Sequence, residues 1–355
     1  MKAGKLFALV AVLFCSGMPG RSEVVIDRNF VTVTDYVKAG TGKDVSDEIQ
    51  KIIDDNPNRT IWFPDGEYII GKPILTPADP EKSVALELSN YAVIRASKDW
   101  TSDEAMIRLG ASHPANNVRK AGSNYYLSGG VIDGNGVASA ISIDGGRETQ
   151  VRDCSIKGAR TGLHIKYGAN GGSSDCDISN INIIGNYTRE SVGILVESYD
   201  NTFTNIRIGG VTTGVLLKGG GNYLRNIHPL FHNAAEYYQD SVGFISECDD
   251  NWFDFCYSDQ FATGFLLSGC HDILLNCFVY WYSKSGERHT AIRSDKRFNA
   301  SVSNITVGMG EHNAVKENIV LDVAEDGGDG FFSNPVIRTK EVLTDGSYLK
   351  YIRPQ

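Results

Sequence analysis

Aromatic and ionisable residues concentrate in three stretches of the 355-residue chain. His228, His232, Glu236, Tyr237, Tyr238 and Asp240 fall in the first, Tyr257, Asp259 and Gln260 in the second, and Tyr280, Trp281, Tyr282, Lys284, Arg288 and His289 in the third. Aromatic faces of this kind stack on sugar rings, and carboxylates or cations beside them move protons. Two carboxylates, one kept protonated by an apolar surround and one ionised, suffice to hydrolyse a glycosidic bond. Asp240 and Asp259 are the candidates for that pair, with Glu236 in reserve. Alternatively Lys284, Arg288 or a histidine removes the proton α to a uronate carboxylate while a neighbouring cation stabilises the enolate. Residue types alone do not order the two chemistries.

Other constellations carry less. His228, His232 and Glu236 would share one helical face if their segment were a helix with Pro229 in its first turn. The Glu that zinc proteases place beside the first His is missing, so no metal is assigned. No cofactor is expected, and calcium stays open. Gly66-Glu-Tyr-Ile-Ile-Gly-Lys-Pro73 mimics a phosphate loop, but proline stands where Ser or Thr is required. Glu247 is a further acid or base candidate, in a column of its own described below.

The elements that must position these groups come from a repeat. A small residue followed by alternating apolar positions recurs at Ala140, Gly162, Gly193, Gly214, Gly243, Gly264 and Ala291, at spacings of 22, 31, 21, 29, 21 and 27 residues. A polar residue lies eight positions after the small one in five successive coils, at Asn201, Asn222, Asn251, Asp272 and Asn299. Stacked turns use such a residue to hydrogen-bond the backbone of the next rung. Cys154, Ile181, Ile206, Ile227, Cys256, Cys277 and Ile305 form an apolar column expected to point inward. Strands this short cannot bury a face alone and must stack into a solenoid. The extra residues of the long coils all fall at one corner, in 182–191, 228–241 and 278–290, which predicts a walled groove lined by 228–241, 257–260 and 280–289.

Two further columns follow from the period. Lys166, Glu197, Lys218, Glu247, Ser268 and Asp295 should form a solvated ladder of alternating charge. His164, Leu195, Leu216, Ile245, Leu266 and Arg293 point outward although four are large aliphatics. Such a stripe needs a cover: either the tail (Val342, Leu343, Tyr348, Leu349, Tyr351, Ile352) or another subunit, with a trimer among the arrangements open to elongated solenoids.

Ahead of the repeats, Asp44-Val-Ser-Asp-Glu-Ile-Gln-Lys-Ile-Ile reads as an amphipathic helix with Asp44 as N-cap and Val45, Ile49, Ile52 and Ile53 on one face. Ile61-Trp-Phe-Pro-Asp-Gly-Glu-Tyr-Ile-Ile follows as a strand, and Gly130-Val-Ile-Asp-Gly-Asn-Gly136 comes later. Together these resemble the N-terminal half of the pectate-lyase-like superfamily, in particular the branch shared by rhamnogalacturonases and related epimerases. The resemblance implies an all-β solenoid, a single-stranded right-handed parallel β-helix whose N-terminal helix caps the open end. It also implies a bias toward pectin-like polysaccharides. It supplies no catalytic residue: Asp249-Asp250 has no Gly-His-Gly after it, and the other polygalacturonase and calcium-dependent pectate lyase signatures are missing. The expected activity is cleavage of glycosidic bonds, by hydrolysis or by elimination. A non-catalytic glycan-binding β-helix and an intramolecular glycosyl transferase or epimerase are the alternatives.

Lys2 and Lys5, the apolar run from Leu6 to Phe14 and the small residues Ser16 and Gly17 have the layout of a secretory signal peptide, expected over 1–22. A lipoprotein reading of Cys15 is disfavoured by Phe14. The β-helix domain is then expected over 23–355, with a cap region at 23–75, regular coils at 124–310 and a C-terminal coil and tail at 311–355, in a secreted or periplasmic protein. Without Lys2 and Lys5 the formal charge moves from −9 to −11, and to −12 if Arg21 leaves with the same leader. That surface repels nucleic acid and anionic membranes, and no membrane insertion is expected. It also disfavours an anionic glycan unless the site itself is locally basic. Six cysteines beyond the leader are too few for a disulfide scaffold, and Cys256 and Cys277 are read as stacked free thiols.

Overall fold

The computed structural model describes residues 30–112, 126–167, 173–282, 288–310, 317–338 and 346–353. The leader, Lys284, Val342 and Leu343 lie outside the described residues.

The chain winds as a right-handed parallel β-helix. Each coil contributes one strand to a ten-stranded parallel sheet and one to a sixteen-stranded sheet, and a four-stranded sheet continues the third face toward the C-terminal end. One coil shows the plan. Thr213–Leu217 lies in the ten-stranded sheet, a corner leads to Tyr223–Pro229 in the sixteen-stranded sheet, and a long corner returns to Val242–Ser246. Tyr223–Pro229 bends in its middle at Asn226, whose φ is 54°, so its two halves belong to different faces of the coil.

The repeat read from the sequence is the rung register itself. Ile194 pairs with Val215, Val215 with Phe244 and Phe244 with Phe265, all pointing inward. The column from Cys154 to Ile305 is buried throughout, with Cys256 and Cys277 as free thiols. The small residue of each coil is required by close approach: a Cβ on Gly193 would lie 2.5 Å from the Gly214 carbonyl oxygen and 2.5 Å from Ile208 Cγ2. Ala or anything larger there would force the ten-stranded sheet away from the opposite face.

The polar column is a buried ladder. Asn222 Oδ1 accepts from Asn201 N at 3.1 Å and from Asn201 Nδ2 at 2.8 Å, Asn251 Oδ1 accepts from Asn222 N at 3.0 Å, and Asp272 Oδ1 accepts from Asn251 N at 3.0 Å. Buried backbone N–H groups at a corner have no strand partner, so the amide of the next rung supplies one.

The capping helix spans Ser46–Asp55 and buries Ile49, Ile52 and Ile53. Asp44 sits one residue ahead of the N-cap position expected for it. Its carboxylate still accepts from Ser46 N at 2.9 Å, and from Gly71 N at 2.9 Å, so it fastens the helix start to the first coil. At the other end Tyr348 and Tyr351 pack on Phe332 and Phe298, so the described tail closes the C-terminal end of the stack. Val342 and Leu343, the other part of the tail expected to cover the outward apolar stripe, lie outside the described residues. No helix among the described residues is long and apolar enough to cross a membrane.

Candidate functional site

The insertions do gather at one corner, and they are laced together. Arg189 Nη2 meets Asp240 Oδ2 at 2.6 Å, Asn233 Nδ2 donates to Thr188 O at 3.1 Å, and Gln239 and the backbone of Arg288 exchange two hydrogen bonds of 3.1 Å. The result is a continuous wall beside the third face of the coil. That face presents two outward columns. Asn182, Arg207 and His228 are in register, Tyr257 pairs with Phe278 below them, and Leu230, Asp259 and Tyr280 follow on the second column.

A cleft of about 300 Å³ lies between face and wall, lined by Asn182, Ile184, Arg207, His228, Leu230 and His232 among others. At its floor the side chains converge. Arg207 Nη1 donates to His228 Nδ1 at 2.7 Å, and His228 Nε2 faces Asp259 Oδ2 at 3.4 Å. A guanidinium has no acceptor, so Nδ1 must be the lone-pair nitrogen and Nε2 carries the proton. Tyr257 stacks on the imidazole with centroids 4.3 Å apart and rings 18° from parallel, close enough to Asp259 for its phenol to feel the carboxylate charge. Burial, and then the Asp259 charge, push the Tyr257 phenol well above the usual tyrosine range, so it stays protonated. Asp259 Oδ1 is buried and accepts no hydrogen bond among the described residues. A buried carboxylate oxygen without a donor is costly and marks a place where a ligand donor would be welcome.

Of the residues singled out in the sequence, His228 and His232 line this cleft, and Tyr257 and Asp259 meet His228 behind it. Tyr280 lies beside Asp259 in register. His232 sits at the lip, 6.0 Å from Tyr187 ring to ring. Gln260 makes the left-handed turn after Asp259, with φ 63°. Tyr282 is exposed one strand residue beyond the face.

Several expectations are corrected. Trp281, Tyr238 and His289 are core residues, each almost fully buried. Trp281 Nε1 donates to Phe261 O at 3.1 Å and stacks on His289, while Tyr238 O–H donates to His289 Nε2 and His289 Nδ1–H to Asn318 Oδ1 at 3.0 Å. Burial pushes the His289 pKa down to about 4, so it is a neutral structural imidazole. The cause is that the long insertion rolls over its own aromatics. Asp240 stands in the wall on Arg189 rather than opposite Asp259. Glu236 is exposed on the short helical turn Ala235–Asp240, where the half-buried Tyr237 hydrogen-bonds it. Arg288 pairs with Asp322 at 2.9 Å and Glu317 at 4.0 Å. His228 lies in the strand Tyr223–Pro229 while Glu236 is on that separate turn, so the two histidines and Glu236 share no helical face. Among the described residues no three His, Cys, Asp or Glu converge to hold a metal.

Glu247 is exposed at the edge of the ten-stranded sheet, and the charge ladder expected through it takes other partners. Lys166 reaches Glu104 at 2.6 Å and Asp144 at 3.2 Å, and Glu197 faces His164 at 3.2 Å. Arg207 is the residue that sequence reading missed. It follows the inward Ile206 by one position, as His228 follows Ile227, and that parity was the available signal.

No protein-family model matches the chain, and no curated protein matches it. Solved structures do. Endo-xylogalacturonan hydrolase from Aspergillus tubingensis aligns with TM-score 0.60 and 13% identity over 87% of this chain and 92% of that one. Alginate lyase from Paenibacillus sp. str. FPU-7 aligns with TM-score 0.54 and 13% identity over 87% and 98%. A variant tailspike protein of E. coli bacteriophage HK620, in complex with a pentasaccharide, aligns with TM-score 0.64 and 12% identity over 87% of this chain and 65% of that one. What these proteins share with this chain is the right-handed parallel β-helix fold. At such identity the likeness is one of fold, and no residue role passes from these proteins to this chain.

Proposed function

We propose that the protein is an exported enzyme that cleaves a glycosidic bond of a uronate-containing polysaccharide by β-elimination at the Arg207, His228, Tyr257 and Asp259 cleft. The observation that carries this reading is the cationic and imidazole lining of the cleft: Arg207, His228 and His232 contribute to it, while the Asp259 carboxylate sits behind His228, on the Nε2 side of the ring. A locally basic cleft on an acidic protein suits an anionic sugar. Two of the proteins sharing the fold are named for polymers built on uronates, xylogalacturonan and alginate.

The geometry supplies a proton path. The substrate carboxylate draws the Arg207 guanidinium away from His228, which frees the Nδ1 lone pair, while Asp259 holds the Nε2 proton and fixes the tautomer. Nδ1 takes the proton from C5, the electron pair forms the C4–C5 double bond, and the C4–O bond breaks. The leaving oxygen takes the Tyr257 phenol proton, which the phenolate recovers from His228. Arg207, on the carboxylate, stabilises the charge that develops in the transition state.

Incubation with xylogalacturonan, alginate and polygalacturonate, read both for reducing ends and for ultraviolet absorbance of unsaturated uronates, tests this. Both signals rising together is the expected result. New ends without absorbance would replace elimination by hydrolysis, and neither signal from any of the three polymers would overturn the reading.

A further inference from the structure

Around the bend from the cleft, the outer corner of the coil carries a second ladder, this one exposed. Asn180, Asn205, Asn226, Asn276, Asn304 and Asn334 all take left-handed φ between 50° and 56°, and successive amides bond each other, as Asn226 Nδ2 does to Asn205 Oδ1 at 2.8 Å and Asn304 Nδ2 to Asn276 Oδ1 at 3.1 Å. One rung breaks the column. Phe255 holds the same left-handed backbone at φ 55° with its ring 64% exposed. Asn tolerates this conformation and a bulky aromatic does not. Phenylalanine also cannot donate to Asn226, and Asn276 turns its amide to Asp254 Oδ1 at 3.4 Å instead. The substitution gives up local stability twice, and an exposed ring is what is gained.

The ring is not alone. Trp252, which opens the strand Trp252–Asp254 just ahead of Phe255, is 49% exposed and lies 6.3 Å from Tyr223, ring to ring. Between the two aromatics stands Asp254, reached by the Tyr223 phenol at 3.2 Å and by Arg225 Nε at 3.7 Å. Two cavities of about 560 Å³ each open on this face, one beside Trp252 and Tyr223, the other beside Phe255, Arg225 and Asp254. Three residues of chain span at most about 11 Å, so Trp252 and Phe255 lie within the reach of a disaccharide or longer chain.

We infer that this face is a second, non-catalytic binding site for a saccharide chain, with Trp252 and Phe255 as stacking platforms and Asp254, Arg225 and the flanking ladder amides as partners for hydroxyls. It would hold the polymer on the outside of the solenoid while the cleft works on another stretch. The inference shares with the cleavage reading only the class of ligand.

Affinity electrophoresis through gels cast with xylogalacturonan, alginate or dextran tests it. The parent protein is expected to be retarded in at least one gel. Trp252→Ala and Phe255→Asn should each weaken that retardation about tenfold. Phe255→Asn restores the ladder, so it should also raise the melting temperature by about 2 °C, and unfolding then cannot account for the loss. His228→Ala should keep the part of the retardation that Trp252→Ala removes, whatever it does to turnover, so the two readings fail separately. No retardation of the parent, or retardation untouched by both substitutions, overturns the site. Self-association by light scattering that Trp252→Ala abolishes would assign the face to a second copy and overturn it equally.

Discussion

At the corner after each strand of the ten-stranded sheet, Asn201, Asn222, Asn251 and Asp272 are buried and bonded rung to rung. At the corner before it, segments 186–191 and 230–241 differ in length and composition and build the wall beside His228 and Asp259. One corner fixes the stacking, which leaves the other free to vary without loss of register. Specialised chemistry collects where the repeat is not needed.

The sharpest way to break this contrast is at the cleft. His228→Ala removes the proposed base and is expected to lower turnover by about 10²- to 10⁴-fold, with the melting temperature near the parent value because the His228 side chain lies on the outer face of its strand, Tyr223–Pro229. Steady-state rates on the polymer that yields product, paired with a thermal melt, would check both halves. A large fall in stability would mean that the variable corner also holds the stack.

Asp272 tests the opposite corner. Burial raises its pKa from 3.8 to about 7, against the lowering effect of its hydrogen bonds. A carboxyl whose folded pKa exceeds its unfolded one binds more protons folded, so stability falls as pH rises from about 4 to about 7 and levels off above that. The loss amounts to as much as about 4 kcal/mol. Asp272→Asn removes this slope and keeps an acceptor for Asn251 N. Denaturant unfolding at pH 5 and pH 8 should show the variant gaining on its parent only at the higher pH. Equal differences at both would mean that Asp272 ionises normally.

Asn222→Ala acts at the same corner without a titration. It leaves Asn201 N without its acceptor and Asn251 Oδ1 without the Nδ2 donor at 3.1 Å, both buried. Orphaned buried groups cost about 1 to 3 kcal/mol each, so a loss of about 3 kcal/mol is expected in chemical denaturation. A loss below about 1 kcal/mol would show that the corner tolerates solvent and is not the fixed one.

What could be read from the sequence divides along the same line. The glycine column, the inward column from Cys154 to Ile305 and the buried amides were legible because every rung must satisfy the same local geometry. The site is legible in part: residue chemistry points to His228, His232, Tyr257 and Asp259, but it points equally to Trp281, Tyr238 and His289, which are core. Their burial follows from how an insertion folds on itself, which no period records. Trp281 was recoverable, since alternation from Cys277 through Val279 points it inward. Arg207 was recoverable by the same parity. Phe255 was visible only once the left-handed column existed to show which rung it interrupts.

The smallest expected effect separates wall from cleft. Asp240 looked like half of a carboxylate pair, but its carboxylate meets Arg189 in an ion pair whose partners are 45% and 60% exposed. Solvent screens such a pair, so Asp240→Ala should cost less than about 1 kcal/mol of stability. Turnover should fall by no more than a few-fold, because the arginine it frees stays in the wall, while KM rises if the laced loops help to close over the polymer. A loss of turnover as deep as that of His228→Ala, with KM unchanged, would restore Asp240 as a catalytic carboxylate. Hydrolysis by a pair with Asp259 would then account better for the cleft than elimination by His228.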